Sequence, residues 1–395
     1  MAKIVTVFGT RPEAIKLAPL LEALGARNDR VQSRVCVTAQ HRGMLDQMLA
    51  GFSVSPDYDL DVMTEGQSPS QVAARVLERL APVLDAERPD WVVVQGDTTT
   101  TLAAALSAKY AGARVAHVEA GLRTFDRMQP FPEEINRQAV TRIADLHLAP
   151  TPLARRNLLR EGVDPASVRV TGNTAIDALR RTIGSRDFRH NGQPWDHLPR
   201  QRRVILLTAH RRENHGPPLR EICAAAKELA QRFDERVQIF YPVHPSGAVR
   251  RAVACTLDDT PNIGLLEPLD YAQLVRLMVR ADLVITDSGG LQEEAPYLGK
   301  PVLVLRNVTE RPEAIEAGVA RLVGSCRKRI VTEATRLLSD PRQYARMARR
   351  APVFGDGRAA ERIARALLGE AVTDWTPAGA EQPSLWPFDE READA

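Results

Sequence analysis

The sequence predicts an α/β protein made of two doubly wound, Rossmann-like units, and three observations carry that expectation. Short continuous apolar runs alternate with longer helical patterns from residue 4 to about 171, and the alternation restarts at 204. Between the two series, Ser185–Arg203 is rich in Arg, His, Gly and Pro and has no apolar period, so it reads as a surface excursion near a domain junction. At 395 residues the chain is long for one core, since a domain takes roughly 100–200 residues.

In the first series Ile4–Phe8, Arg34–Thr38, Trp91–Gln95, Arg114–Val118, Leu146–Ala149 and Arg169–Thr171 read as strands. Runs such as WVVVQ are apolar almost throughout rather than at alternate positions, as in strands buried on both faces of a parallel sheet. Pro12–Leu24, Ser68–Leu84, Thr99–Tyr110 and Glu133–Ala144 read as the intervening helices, with Pro12 in a first turn where its missing N–H costs nothing. The second series runs through strands Val204–Thr208, Gln238–Pro242, Ile263–Leu265, Leu283–Thr286 and Pro301–Leu305. Leu219–Arg232, Tyr271–Val279 and Gly290–Leu298 are its helices. The boundaries that follow are 1–175 and 176–356, and no residue-level repeat relates the halves. From about Thr373 the chain turns acidic and proline-containing, so 370–395 is expected to be a flexible tail, although Trp375, Trp386 and Phe388 sit oddly in one.

Composition narrows the function. A net charge of +3 is too small at this length to argue for nucleic acid, and no basic run stands out. Arg greatly outnumbers Lys, which reads as a compositional bias. Cys36, Cys223, Cys255 and Cys326 form no CxxC or CxxH pair, so neither a zinc site nor a disulfide framework is expected. A charged Lys3 followed by a strand-length apolar run is no signal peptide, and no stretch approaches the roughly 18 apolar residues of a membrane span. A soluble, cytoplasmic protein is expected.

The unusual local sequences all follow strands, where parallel α/β proteins place ligands. Gly9-Thr10-Arg11-Pro12-Glu13 has one glycine and not the GxGxxG of a dinucleotide site, but a helix start with Arg11 and Lys16 suits a pyrophosphate. In Gly96-Asp97-Thr98-Thr99, Asp97 could cap the next helix; a threonine can do that equally, freeing Asp97 for the cleft. Glu119 in His117-Val118-Glu119-Ala120-Gly121 either pairs with Arg123 or lies near other carboxylates, whose proximity would suit an acid or base. Pro130-Phe131-Pro132-Glu133-Glu134 starts a helix whose dipole favours both glutamates, while the prolines would fix one of them in place. His210-Arg211-Arg212-Glu213 and Asp287-Ser288-Gly289-Gly290, with Glu294 a turn later, supply a histidine that can bond a phosphate or shuttle a proton, free N–H groups and a partner for sugar hydroxyls. Thr309-Glu310-Arg311-Pro312-Glu313 offers another cation. These residues point to an enzyme acting on a nucleotide-linked or phosphorylated substrate between two domains, and leave the reaction open.

Taken together, VFGTRPEAIKLAPL, VTAQHRGMLDQ, GDTTTTLA, HVEAGLRT, FPEEINR, TGNTAIDAL, TAHRREN, YPVHP, TDSGGLQEEAPYLGKPVL and TERPEA resemble the bacterial non-hydrolysing UDP-N-acetylglucosamine 2-epimerases, in order from about Lys3 to Leu368. The resemblance implies the glycosyltransferase-B architecture, a homodimer, and a last helix over 357–368 that crosses back onto the first domain. It implies C2 inversion to UDP-N-acetylmannosamine without NAD or an essential metal, by elimination of UDP to 2-acetamidoglucal and re-addition. Such an enzyme feeds cell-surface polysaccharide synthesis. Asp97, Glu119 and Glu133 are then the carboxylates handling the C2 proton and the leaving oxygen, with His210 beside the UDP. Arg11, Lys16, Ser288, Gly289, Gly290, Glu294 and Arg311 would contact the UDP-sugar. A second, activating UDP-N-acetylglucosamine would lie near Gln40, Arg75, Glu134, Arg211, Glu213 and His244; Gly43 stands where relatives often carry Gln or Glu. A hydrolysing epimerase, a glycosyltransferase of the same fold and a non-catalytic UDP-sugar sensor are the alternatives.

Overall fold

A computed structural model describes residues 1–39, 49, 51–52, 54–64, 66–185, 188 and 192–377. Gln40, Gly43, Trp386 and Phe388 lie outside them. The first sheet holds β1 (Ala2–Phe8), β2 (Val31–Val37), β3 (Tyr58–Asp59), β4 (Trp91–Gln95), β5 (Arg114–Val118), β6 (Leu146–Ala149) and β7 (Val168–Val170). They are all parallel, in the order β3-β2-β1-β4-β5-β6-β7. Its helices are α1 (Arg11–Gly25), α2 (Pro69–Glu87), α3 (Thr99–Tyr110), α4 (Glu133–Ile143) and α5 (Pro152–Arg160). After α6 (Thr174–Gly184), the second sheet runs through β8 (Arg203–Thr208), β9 (Val237–Pro242), β10 (Ile263–Leu266), β11 (Leu283–Thr286), β12 (Val302–Val304) and β13 (Ala320–Leu322). These too are parallel, ordered β10-β9-β8-β11-β12-β13. Helices α7 (Pro217–Phe233), α8 (Gly247–Leu257), α9 (Tyr271–Arg280), α10 (Gly289–Tyr297), α11 (Pro312–Glu316), α12 (Arg327–Ser339) and α13 (Pro341–Met347) accompany it.

Strand order reverses in both sheets, at β1/β4 and β8/β11, and such a switch point opens a crevice at the strand C-termini. The two crevices face each other. Several elements escaped the sequence reading. Strands β3 and β13 span only two and three residues, and α5 and α12 escaped although each buries an apolar face among its arginines.

The Ser185–Arg203 excursion is only partly a surface feature. Trp195 is 1% exposed and meets Phe240 edge-on at 5.7 Å, and Phe188 is also buried. Two isolated aromatics bury themselves without any periodic pattern, which is why periodicity missed them. Helix α6 packs against α1 on one side and α9 and α10 on the other. A boundary at 175/176 therefore cuts into a helix that both units share. One continuous apolar cluster joins the units through Ile176, Leu179, Trp195 and Tyr271.

Helix α14 (Ala359–Leu367) returns to pack on α1 and α6. Its amphipathic face buries Ala360, Ile363, Ala364 and Leu367, and Asp177 of α6 accepts hydrogen bonds from the Ala359 and Ala360 amides at 3.2 and 2.9 Å. The start of the expected tail is also docked. Trp375 is buried and donates its backbone N–H to the Val170 carbonyl at 2.7 Å, while the Val170 N–H donates to Asp374. These residues close the free edge of β7, so the reading of 370–395 as a tail is corrected for 370–377.

Candidate active site

The loop after β1 is organised around a carboxylate. Buried Glu13 accepts from the Gly9 and Thr10 amides and the Thr10 hydroxyl at 3.0, 2.8 and 2.7 Å, and from the hydroxyls of Thr98, the N-cap of α3, and Thr101 in its first turn at 2.7 and 3.1 Å. Burial pushes its carboxyl up, against the effect of those hydrogen bonds. The Glu13 carboxyl thus ties the Gly9 and Thr10 amides of this turn to the start of α3. Arg11 leans across the cleft and donates to the Leu269 carbonyl at 3.1 Å.

Beyond β4, Thr98 caps α3 by accepting from the Thr101 amide, so Asp97 is spared that task. Arg137 donates to the Asp97 carboxylate at 2.5 Å and Asn136 to its carbonyl at 2.9 Å. His117 fixes the same turn, its Nε2 lying 2.7 Å from the Gly96 carbonyl, and burial drives its pKa down to about 3. Glu133 opens α4 beside Asp97, after cis Gln129–Pro130 and Phe131–Pro132 peptides. Burial first, then the Asp97 charge, raises its carboxyl, while Arg211 of the second domain approaches to 4.0 Å.

Glu119 ends β5 with φ +65°, a left-handed backbone that a non-glycine residue adopts at a cost of order 1 kcal/mol. Gly121 completes the turn at φ +89°, where a Cβ would come within 2.3 Å of the Ala154 carbonyl oxygen. Glu119 shares both of its cations with the carboxylate of Glu293. Lys16 and Arg311 pair with Glu119, the latter at 3.4 Å, and Asn173 donates to it at 3.0 Å. Arg123 turns instead to Glu161, at 2.6 and 2.8 Å.

This cluster crosses the cleft. Glu293 of α10 takes Lys16 at 3.0 Å and Arg311 Nε at 2.6 Å. Arg311 also pairs with Glu310, which in turn holds Arg306 at 2.8 Å. Burial opposes the Lys16 charge, but Glu119 and Glu293 outweigh it and raise its pKa. Arg311 is raised likewise against burial by Glu293 and Glu310. Gly289 is required where Arg311 crosses the first turn of α10, because a Cβ there would lie 2.8 Å from the guanidinium carbon. Ser288 is the N-cap residue, yet its side chain makes no capping bond; Gly290 opens onto free space beside it. Glu294 accepts from the Tyr271 hydroxyl at 2.7 Å, and burial pushes its carboxyl up to about 8. These groups form a floor of paired charges under the N-terminus of α10.

His210, at the end of β8, stacks parallel on His244 with ring centroids 5.6 Å apart, and burial lowers its pKa against the pull of Asp287. Glu213 pairs with Arg306 at 2.9 Å. The structure therefore gathers Asp97 and Glu133 with Arg211, and Glu119 with Lys16 and Arg311, on the cleft walls. It does not bring Arg75 to them: that guanidinium bonds the Val62 carbonyl, Thr64 and Gln67 within the first domain. Glu134 is buried and accepts from the Thr124 and Phe125 amides at 3.1 and 3.2 Å. Sequence reasoning left Glu13, Asn173, Asp287, Glu293 and Glu310 without roles, though all lie in strand-end motifs. For Glu13 and Glu310, an acidic residue beside an expected cation was the available signal.

Two Rossmann-like domains with their switch points facing across a polar cleft define a glycosyltransferase-B-type protein. The model of the UDP-N-acetylglucosamine 2-epimerase family matches residues 23–368. The Yersinia pestis UDP-N-acetylglucosamine 2-epimerase is 50% identical over 94% of this chain and 100% of its own length, and that of Escherichia coli K12 is 48% identical over the same shares. The Neisseria meningitidis enzyme solved with UDP-GlcNAc superposes with a TM-score of 0.87 at 42% identity, covering 93% of this chain and 100% of the other. The S. aureus MnaA–UDP structure gives 0.90 at 43%, covering 96% and 100%. The chain belongs to the UDP-N-acetylglucosamine 2-epimerase family.

Proposed function

We propose that this protein is a UDP-N-acetylglucosamine 2-epimerase that forms UDP-N-acetylmannosamine reversibly, without net hydrolysis. The observation that carries the reading is a cleft that gathers the carboxylates Asp97, Glu119 and Glu133 with the cations Lys16, Arg311 and Arg211 beside the helix start at Ser288–Gly290. The Neisseria meningitidis and S. aureus relatives are described as bound to UDP-GlcNAc and UDP, which supports the same ligand here.

In this reading the anomeric C1–O bond breaks and its electron pair leaves on the UDP β-phosphate oxygen. The developing charge meets Lys16, Arg311 and the N–H groups of α10, groups already in place before reaction. A carboxylate removes the C2 proton, and the C–H electron pair becomes the C1–C2 double bond of 2-acetamidoglucal. A proton then returns to C2 on the opposite face while the UDP oxygen re-attacks C1. Glu133 suits a proton-holding role, since its raised carboxyl keeps a proton nearer neutral pH. His210 sits beside the UDP, where its neutral ring can take up a proton, and Arg11 and Glu294 hold the nucleotide and its sugar hydroxyls.

The reading extends to a cytoplasmic homodimer that needs neither NAD nor a metal and supplies surface-polysaccharide synthesis. A second UDP-N-acetylglucosamine would act as activator against Arg211, Glu213 and His244; Glu134 and Arg75 carry internal hydrogen bonds that such a ligand must displace. In deuterated water with UDP-N-acetylglucosamine and no added cofactor, both sugars should gain deuterium at C2, with little free UDP. Product carrying the original C2 hydrogen would sink the elimination route. Stoichiometric UDP release would select hydrolysis, and turnover only with an acceptor would select a transferase. Asp97→Asn should retain UDP binding and lose turnover.

A further inference from the structure

We propose that Asp287 is a positioning residue that fixes the tautomer of His210, placing the proton on Nδ1 and presenting Nε2 to the cleft as an acceptor. Asp287 follows β11 and His210 follows β8, neighbours in the sheet whose register pairs Thr286 with Thr208. The topology thus sets the two residues side by side at the switch point.

The Asp287 carboxylate is fully buried, and its two oxygens are used differently. Oδ2 accepts from the His210 amide at 2.9 Å, the Arg211 amide at 2.8 Å and Asn214 Nδ2 at 2.9 Å. Oδ1 has no hydrogen-bond partner among the described residues, and it lies 3.3 Å from His210 Nδ1. A buried carboxylate oxygen without a donor is costly, and a small ring rotation gives it one only if Nδ1 carries the proton. The opposite tautomer would set a nitrogen lone pair against that oxygen. The parallel stack on His244 holds the plane of the ring, and His244 is itself oriented because its Nδ1 accepts from the Ser246 amide at 3.2 Å. Arg11, Arg211 and His215 also face the ring and, with burial, keep it neutral. Nε2 is then the ring's acceptor.

Asp287→Asn separates the two duties. The asparagine carbonyl can keep the three donors that hold the loop, which turns its NH2 group towards Nδ1. That geometry forces the proton to Nε2. The test uses the full-length protein with 15N-labelled histidine at about pH 8, observing long-range proton–nitrogen couplings and assigning His210 by its loss in His210→Gln. We expect the Nδ1–H form in the wild type and the Nε2–H form in Asp287→Asn. Asn214→Ser, which loosens the same loop without facing the ring, should keep the Nδ1–H form. A wild-type spectrum of the Nε2–H form overturns the proposal, and it decides the matter even if Asp287→Asn does not fold. Retention of the Nδ1–H form in a folded Asp287→Asn also overturns it.

A kinetic arm rests on the epimerase reading. Asp287→Asn should lower kcat by about 100-fold with KM within about threefold of wild type, the size of a lost proton-transfer contribution. The NMR arm needs no substrate, so absence of epimerisation by the wild type would remove the reaction and leave the tautomer assignment standing.

Discussion

Lys16, together with Arg311, links Glu119 of the first domain to Glu293 of the second, and Lys16→Met tests whether that buried network is as tightly coupled as its geometry implies. All three side chains are at most 8% exposed. Removing one partner of a buried ion pair costs roughly 3–5 kcal/mol, because the remaining charge stays buried and uncompensated. Here Arg311 still lies 3.4 Å from Glu119 and 2.6 Å from Glu293, so the lower end, about 3 kcal/mol, is expected. Glu293→Gln alone should cost about 1–2 kcal/mol, because Glu119 and Glu310 continue to neutralise the cations. The double variant removes one charge of each sign and strands neither. Its cost should therefore fall short of the sum by about 2 kcal/mol. The assay is urea unfolding of the four ligand-free proteins, followed by far-ultraviolet circular dichroism. Costs that add to within about 0.5 kcal/mol would refute the coupling, as would a Lys16→Met loss below about 1 kcal/mol.

Two further outcomes are measurable directly. Glu294, with its carboxyl pushed up to about 8, is protonated in the free protein at neutral pH. Its contribution to folding is therefore complete below roughly 4.3 and is lost as pH rises through about 8, whereas accepting a sugar hydroxyl favours the ionised form. Calorimetric UDP affinity should consequently rise between about pH 6.5 and 8 and then level, and Glu294→Gln should abolish that slope; an unchanged slope in the variant removes Glu294 from the site. Trp375→Ala should cost about 3 kcal/mol and speed amide exchange along β7, whereas wild-type exchange would mean that Trp375 does not guard that edge.

The parts visible in the sequence share a physical basis. Strands such as Trp91–Gln95 and Arg114–Val118 announced themselves because a strand buried on both faces has almost no polar positions. Asp97, Glu119 and His210 were visible because polar residues at strand ends serve no need of the sheet, and Glu133 because two prolines set off the helix start it occupies. What stayed hidden depends on distant pairing. Nothing local tells that Glu293 neutralises Lys16, 277 positions away, or that Asp287 holds the His210 loop. Trp195 and Trp375 were misjudged for a related reason. A lone tryptophan among polar residues carries no period, so its burial is set entirely by the surface it meets.

Helix α14 and the residues after it impose an order on biosynthesis. The sheet that begins at Ala2 receives the helix covering α1, and the strap along β7, only from residues 359–375. The whole second domain is made in between, which at roughly 5–20 residues per second takes on the order of ten seconds or more. During that interval the nascent first domain carries an uncovered apolar groove and an open strand edge, both invitations to chaperones and to other chains. The second domain, encoded without interruption, can reach its native topology while the first is still waiting. Emergence of residues 359–375 is then the event that seals the first domain, so a ribosome stalled shortly before residue 359 would hold a sticky, half-covered protein.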